Sequence, residues 1–186
     1  PLEKKGFNIK FMRVIIRGES IYLRRLTEED VTEKYVAWMN DSDINQYLES
    51  RFAIHTIDSV KSFIRSVTNN SNYQFGIFDN ETDEHIGNIK IGNINSYHKF
   101  ADIGFIVGEK KYWGKGIATE AIRLATDFAF NDLNLHKIFG GAYASNIGSC
   151  RAFEKNGFKR EGIKYSQYLT NEGVYVDDIM YGKVNE

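Results

Sequence analysis

The sequence predicts an α/β fold: a mixed, mostly antiparallel sheet around one parallel strand pair, flanked by helices. Three observations predict it. Three strand-like runs between Tyr73 and Val107 follow one another across connections too short for anything but antiparallel neighbours. One strand–helix–strand crossover, from Ala101 to Tyr143, favours a parallel pair. Apolar residues recur at helical spacing both before and after those strands.

Taken in order, Val14 to Leu26 contains a strand, with Ile21 and Leu23 alternating against Tyr22 and Arg24. Thr27 with Asp30 three residues on reads as a helix start, and the helix is expected over Glu28 to Met39. Asn40 to Asp43 breaks it. A second helix fits Thr56 to Thr68, placing Ile57, Val60, Phe63, Ile64 and Val67 on one face; Asn69 to Asn72 ends it. Strands follow at Tyr73 to Phe78, His85 to Ile94 and Lys99 to Val107. The helix from Gly116 to Asn131 has a polar stripe (Glu120, Arg123, Asp127, Asn131) and a stripe of Ala118, Ala121, Ala125 and Ala129 that lets it lie close on a sheet. Lys137 to Tyr143 is a strand. Asn146 caps a short helix, Ile147 to Asn156, which Gly157 closes in a left-handed C-cap. Lys159 to Tyr168 and Val174 to Lys183 form a closing hairpin around Thr170 to Gly173.

With 42% hydrophobic residues among 186, a core can form without covalent staples. A formal net charge of −1 with no basic block argues against nucleic acid or a membrane surface as partner. The single cysteine, Cys150, excludes an internal disulfide framework and suits a reducing compartment. No apolar run approaches the length of a membrane span, and no signal peptide is visible, so the expected location is cytoplasmic. Residues 1–11, ahead of Met12, read as an N-terminal extension or cloning remnant, and residues 12–186 as one domain. The four histidines are scattered with no i, i+4 pair, so no metal site is expected.

The stretch Lys111-Tyr112-Trp113-Gly114-Lys115-Gly116-Ile117-Ala118 sits where a strand hands over to a long helix. Unpaired N–H groups at the positive end of a helix dipole make an anion site, most often for phosphate. A dinucleotide fingerprint fails at its third glycine, and a Walker loop fails because Ile117 follows Gly116. Lys111-x-x-Gly114-x-Gly116 instead resembles the [Q/R]-x-x-G-x-[G/A] signature of the GNAT superfamily, the acetyl-CoA-dependent N-acetyltransferases; Lys stands where Gln or Arg is usual. Asn146-x-x-Ser149 followed by Phe153-Glu154-Lys155-x-Gly157-Phe158 is similar to the family's second hallmark. Gly162, Tyr175-x-Asp177 and Met180-Tyr181-Gly182 resemble the branch holding the ribosomal-protein N-terminal acetyltransferases.

The resemblance implies a GNAT-like sheet that splays after Ala101–Val107 to admit the pantetheine arm of acetyl-CoA, a co-substrate needing no metal. Ile106 and Val107 would meet pantetheine and thioester. The diphosphate would rest on backbone from Trp113 through Gly114, Lys115, Gly116 and Ile117 to Ala118, with Lys111 and Lys115 adding charge. Asn146 and Ser149 would reach the cofactor arm. The reaction would be direct attack of a primary amine on the acetyl carbonyl, in a ternary complex, with a strand N–H near Val107 stabilising the oxyanion. Asp102, near where some relatives keep a glutamate, is the candidate base. The family's helix tyrosine is replaced by Phe153, leaving Tyr165, Tyr168 or Tyr175, or solvent, as acid. Trp38, Glu49 and Arg51 lie in the region that lines the acceptor cleft in this superfamily. Glu49 suits an amine, and Arg51 a phosphate or carboxylate. The implied acceptors are a nucleotide-linked amino sugar or a protein N-terminus; a polyamine is disfavoured, because no acidic cluster accompanies Glu49. Relatives often pair through their C-terminal strands, so a homodimer is an expectation. The alternative is a non-catalytic acyl-CoA-binding sensor or interaction module on the same fold.

Overall fold

The computed structural model describes residues 14–69 and 72–186; the extension expected over residues 1–11 lies outside them. The strands are β1 (Ile15–Arg17), β2 (Ile21–Arg25), β3 (Tyr73–Asp79), β4 (His85–Asn95), β5 (Phe100–Val107), β6 (Lys137–Tyr143), β7 (Lys159–Leu169) and β8 (Tyr175–Val184). The helices are α1 (Glu33–Asn40), α2 (Ser42–Asn45), α3 (Ile57–Asn69), α4 (Ile117–Asn131) and α5 (Ile147–Lys155). Among the described residues the strands make one eight-stranded sheet in the order β1-β2-β3-β4-β5-β6-β8-β7. Every neighbouring pair is antiparallel except β5–β6, which is parallel as expected.

That parallel pair is short. Phe100, Ala101 and Asp102 pair with Lys137, Ile138 and Phe139, and beyond them the two strands part. Gly140 and Phe153 explain where the sheet divides. A Cβ on Gly140 would sit 2.7 Å from the Phe153 ring and 3.0 Å from the Ile103 carbonyl oxygen. Phe153 is buried, meets the Phe105 ring at 5.7 Å and stacks on Tyr181 at 5.1 Å. It therefore packs beneath both strands where their pairing stops.

The main core lies on that same face, under α4. Ala121, Ala125 and Ala129 are fully buried, so the helix lies close on β2, β4 and β5. Glu120, expected on the solvated stripe, is instead folded back to accept from the Ser20 N–H of the β1–β2 turn at 3.1 Å. A second apolar cluster, including Tyr22, Trp38, Val60, Ile64 and Phe78, covers the opposite face beneath α1 and α3.

Three expectations change. The strand expected within Val14–Leu26 is a hairpin of two. The helix expected over Glu28–Met39 is a 3-10 turn, Glu28–Asp30, followed by α1. Two threonines compete to start it. Thr27 and Asp30 close the first turn, whereas Thr32 accepts from the Tyr35 N–H at 3.3 Å and begins the regular helix. Phe63 is exposed rather than buried. It falls roughly 80° round α3 from the centre of the stripe of Ile57, Val60, Ile64 and Val67.

Candidate active site

A cleft of about 670 Å³ runs through the β5–β6 division. Its two walls are strand edges. Ile103 to Val107 on one side and Gly140 to Tyr143 on the other have no ladder partner between them. Backbone N–H and C=O groups there need another partner, and an extended chain with amide groups of its own supplies one. Gly104 and Gly141 face the opening without side chains, and nothing lies within 4 Å of where a Gly104 Cβ would be.

One mouth of the cleft is made of backbone. Gly114 has φ +74° and Gly116 φ +83°, both in the left-handed region that glycine enters without strain. Nothing lies within 4 Å of a Cβ at either place, so the surface they leave is bare peptide. Gly116 is the N-cap of α4 and brings no side-chain acceptor; helical bonding starts with Glu120 N–H donating to the Gly116 carbonyl at 3.0 Å. The N–H groups of Ile117, Ala118 and Thr119 come before that bond, on residues lining the cleft. The Trp113 indole N–H donates to the Val107 carbonyl at 2.8 Å and ties the turn to the end of β5. Across the mouth, Arg151 and Lys155 line the cleft one helical turn apart on α5, and neither is ion-paired among the described residues. Asn146 accepts from the Ser149 N–H at 3.1 Å, so it caps α5 while lining the cleft with Ser149. These residues fit a diphosphate-bearing ligand with a long amide arm.

The other end is made of side chains. The Tyr143 hydroxyl donates to Glu49 Oε1 at 2.6 Å and accepts from Arg51 Nη1 at 2.7 Å. Tyr168 stacks on Tyr143 with ring centroids 4.2 Å apart, and Tyr47 meets Tyr143 edge-on at 5.4 Å. Burial, and then the Glu49 carboxylate, push the Tyr143 phenol up to about 12. Glu49 is 63% exposed, whereas the Arg51 side chain is 5% exposed. Arg51 also donates to the carbonyls of Leu48 and Leu169, fastening the Glu49–Phe52 turn to β7. An open carboxylate flanked by phenol rings attracts a cation.

Of the residues singled out in the sequence, Ile106, Val107, Trp113, Gly114, Gly116, Ile117, Ala118, Asn146, Ser149 and Glu49 are brought together at this cleft. Lys111 is not. Its ammonium pairs with Glu84 at 2.6 Å, outside the lining, and Lys115 lies over the Tyr112 ring instead. Trp38 is 3% exposed and fills the space above Gly108, with its indole N–H on Glu109 at 3.0 Å. Arg51 reaches the cleft's edge, but its Nη1 and Nη2 donate to protein acceptors and its Nε is buried. Asp102 lies where β5 and β6 still pair, its carboxylate 3.8 Å from Lys90 and outside the lining. Among the tyrosines offered as acids, Tyr168 lines the cleft, while Tyr165 and Tyr175 are exposed away from it. Sequence reading placed Tyr47 in the stretch ahead of Glu49 without giving it a role, and missed Tyr143, Gly104, Gly141, Arg151 and Lys155. The i, i+4 spacing of Arg151 and Lys155 beyond Asn146 was a usable signal; the tyrosines carried none. Among the described residues no group of three His, Cys, Asp or Glu could hold a metal, and no helix is long and apolar enough to cross a membrane.

Comparison with known proteins agrees with this geometry. The family model for the acetyltransferase (GNAT) domain matches residues 20–159. The probable N-acetyltransferase YjcK of Bacillus subtilis is 32% identical over 170 residues, covering 88% of this chain and 93% of that protein. The crystal structure of spermidine N-acetyltransferase from Vibrio cholerae in complex with CoA and spermine superposes with a TM-score of 0.80 at 25% identity, over 90% of this chain and 96% of that one. Ribosomal-protein-S5-alanine acetyltransferase from Vibrio fischeri shares the fold, with a TM-score of 0.78 at 23% identity over 93% and 97%.

Proposed function

Since this chain belongs to the GNAT acetyltransferase family and is an acetyl-CoA-dependent N-acetyltransferase, we propose that its acceptor is a small cationic primary amine, acetylated by direct attack in a ternary complex. The observation that carries this reading is the polarity of the cleft. Its backbone cradle with Arg151 and Lys155 marks one end, and Glu49 with the Tyr143 hydroxyl marks the other.

The seating follows from that polarity. The diphosphate takes the N–H groups from Gly114 to Ala118, the two α5 cations stand beside it, and the pantetheine arm extends along the open edge of β5 past Val107 and Ile106. The acetyl group then lies in the division between β5 and β6, with a strand N–H near Val107 as the oxyanion donor. Glu49 draws the ammonium, and the faces of Tyr47 and Tyr168 hold it by cation–π attraction. A nucleotide-linked amino sugar would have brought a phosphate for Arg51 to hold. Its Nη1 and Nη2 already donate to Leu48, Tyr143 and Leu169, which leaves only a buried Nε–H for a phosphate on the acceptor. A polyamine, the acceptor class named for the Vibrio cholerae relative, fits an open carboxylate better than a sugar phosphate does.

The test is release of free CoA thiol from acetyl-CoA with spermidine, glucosamine and an alanyl peptide as separate acceptors. Spermidine is expected to support turnover and a neutral-sugar control none. Thiol release with the peptide or amino sugar alone would overturn the acceptor, and none with any amine would overturn acetyl transfer to amines.

A further inference from the structure

Gly104 has no local reason to be glycine. Its φ is not in the left-handed region, and apart from its chain neighbours no atom lies within 4 Å of where its Cβ would be. No other glycine among the described residues combines these two properties. Gly114, Gly116 and Gly173 have positive φ, and each of the rest has an atom within 4 Å of its Cβ position. A glycine inside a strand forfeits packing and order, and it is kept where a ligand or another backbone comes close.

The strand register shows where this hollow lies. The last paired residues of β5 and β6 are Asp102 and Phe139. Carried two residues on, that register sets Gly104 opposite Gly141 and Ile106 opposite Tyr143, on the face where Tyr143 meets Glu49. The two glycines differ in what lies above them. Over Gly141 the space is taken, because a Cβ there would be 2.6 Å from Asp178 Oδ1. Over Gly104 it is open to the cleft. Lys90, the β4 neighbour of Gly104, turns back over Gly92 toward Asp102 and leaves that space clear. Ile106 lines the cleft beside it, and Ile44 and Leu48 line it from α2 and the segment beyond, where α2 packs on β5. The hollow therefore has hydrocarbon around it and no side chain in it.

We propose that this hollow is an acyl pocket, that the enzyme transfers propionyl and butyryl groups from their CoA thioesters as well as acetyl, and that Gly104 sets the limit on chain length. This rests on the seating above, with the pantetheine arm running along β5 past Val107 and Ile106. At about 3.3 Å per residue, Gly104 stands about 6.6 Å along the strand from Ile106. An extended butyryl chain spans about 3.8 Å from its carbonyl carbon and reaches Gly104, whereas acetyl spans about 1.5 Å and stops short. The chemistry is the same for each acyl group. The acceptor ammonium gives one proton to solvent, and the nitrogen lone pair forms the C–N bond to the acyl carbon. The C–S bond breaks, and the departing sulfur keeps its electron pair and takes a second N–H proton, giving amide and thiol.

The experiment measures by calorimetry the affinities of wild type, Gly104→Ala and Gly104→Val for CoA, acetyl-CoA, propionyl-CoA and butyryl-CoA. Thiol release then follows each thioester with whichever of spermidine, glucosamine and the alanyl peptide wild type acetylates fastest. Burying a methylene is worth up to about fourfold in affinity, so butyryl-CoA should bind wild type about tenfold tighter than acetyl-CoA. Its kcat/KM should stay within about tenfold of that for acetyl-CoA. The butyryl-to-acetyl affinity ratio should fall to about three in Gly104→Ala and to about one in Gly104→Val. Valine suits a strand, so cooperative thermal unfolding should persist without ligand, and Gly104→Ala decides the matter if the larger variant does not fold. Butyryl-CoA binding no tighter than acetyl-CoA in wild type, an unchanged ratio in both variants, or equal weakening of all four ligands would each overturn the proposal. Failure of wild type to bind any of the four would overturn the seating instead. Binding without thiol release to any amine would overturn the acceptor reading, and the affinities, which need no acceptor, would still decide the pocket.

Discussion

The two ends of the cleft are built from different materials. One end, the proposed cofactor end, is peptide: left-handed glycines at 114 and 116, the uncapped first turn of α4 and an open strand edge. The other, the proposed acceptor end, is side chain: Glu49 and Arg51 from one turn, Tyr143 from β6 and Tyr168 from β7, linked by hydrogen bonds and ring contacts. Backbone presents the same N–H groups whatever the neighbouring residues are, so a diphosphate seat needs only the right φ angles and room. Recognition of an amine needs a charge and a hydroxyl at set places, which only convergent side chains supply. The first end is therefore sensitive to a single backbone change, and the second to loss of any partner in a network.

The largest expected effect falls on the peptide end. Gly114→Val forces a branched residue to φ +74° and puts methyl groups on the bare surface, so acetyl-CoA affinity should fall at least about 100-fold by calorimetry while the protein stays folded. Normal binding would remove the diphosphate from this turn. For scale, acetyl-CoA at ~100 times its dissociation constant should stabilise wild type by ~2.7 kcal/mol, and the variant should show none of this at the same concentration. Next comes the network at the other end. Arg51→Met leaves the Leu48 and Leu169 carbonyls and the Tyr143 oxygen without their donor, at a cost of about 2 kcal/mol in urea unfolding. An unchanged midpoint would mean that Arg51 is free for a ligand after all.

Glu49→Gln keeps the shape and removes the charge. The KM for the amine should rise about tenfold with acetyl-CoA affinity unchanged, which would separate the two ends cleanly. Lys111→Ala breaks a surface pair with Glu84 and should leave the urea midpoint and acetyl-CoA affinity essentially unchanged; a marked loss of affinity would return Lys111 to the diphosphate. Smallest at working pH is the effect of Tyr143. Its phenol is raised from 10.0 to about 12 in the folded protein, so its contribution to stability is fully present below pH 10 and is lost as pH rises through 12. Tyr35 and Tyr181 are also raised by burial, so a spectrophotometric titration should find one fewer late-ionising tyrosine in Tyr143→Phe than in wild type.

Much of the fold could be read directly. Periodicity placed Lys137–Tyr143 to the residue, and α3, α4 and α5 to within one at each end. What failed was local competition and facing. Thr27 and Thr32 are both good caps, and sequence spacing alone does not say which one starts the helix. Phe63 is apolar but sits off the buried stripe of α3. At the site, the glycines and the α4 N-terminus were readable because their role is set by residues adjacent in the chain. The engagements of Arg51, Lys111 and Asp102 were not readable because their partners, Tyr143 with Leu169, Glu84 and Lys90, lie elsewhere in the chain or across a strand pair.

The chain by itself determined the succession of strands and helices, the parallel crossover and the bare peptide turn at Gly114–Ala118, all of which depend on short-range spacing and on the φ freedom of glycine. Only the tertiary structure decided which carboxylate lines the cleft. Asp102 lies beside Lys90 where β5 and β6 remain joined, whereas Glu49 lines the cleft where they have parted. That difference is set by Phe153, packed against Gly140 from a helix on the far side of the sheet, and no local pattern encodes a contact of that kind.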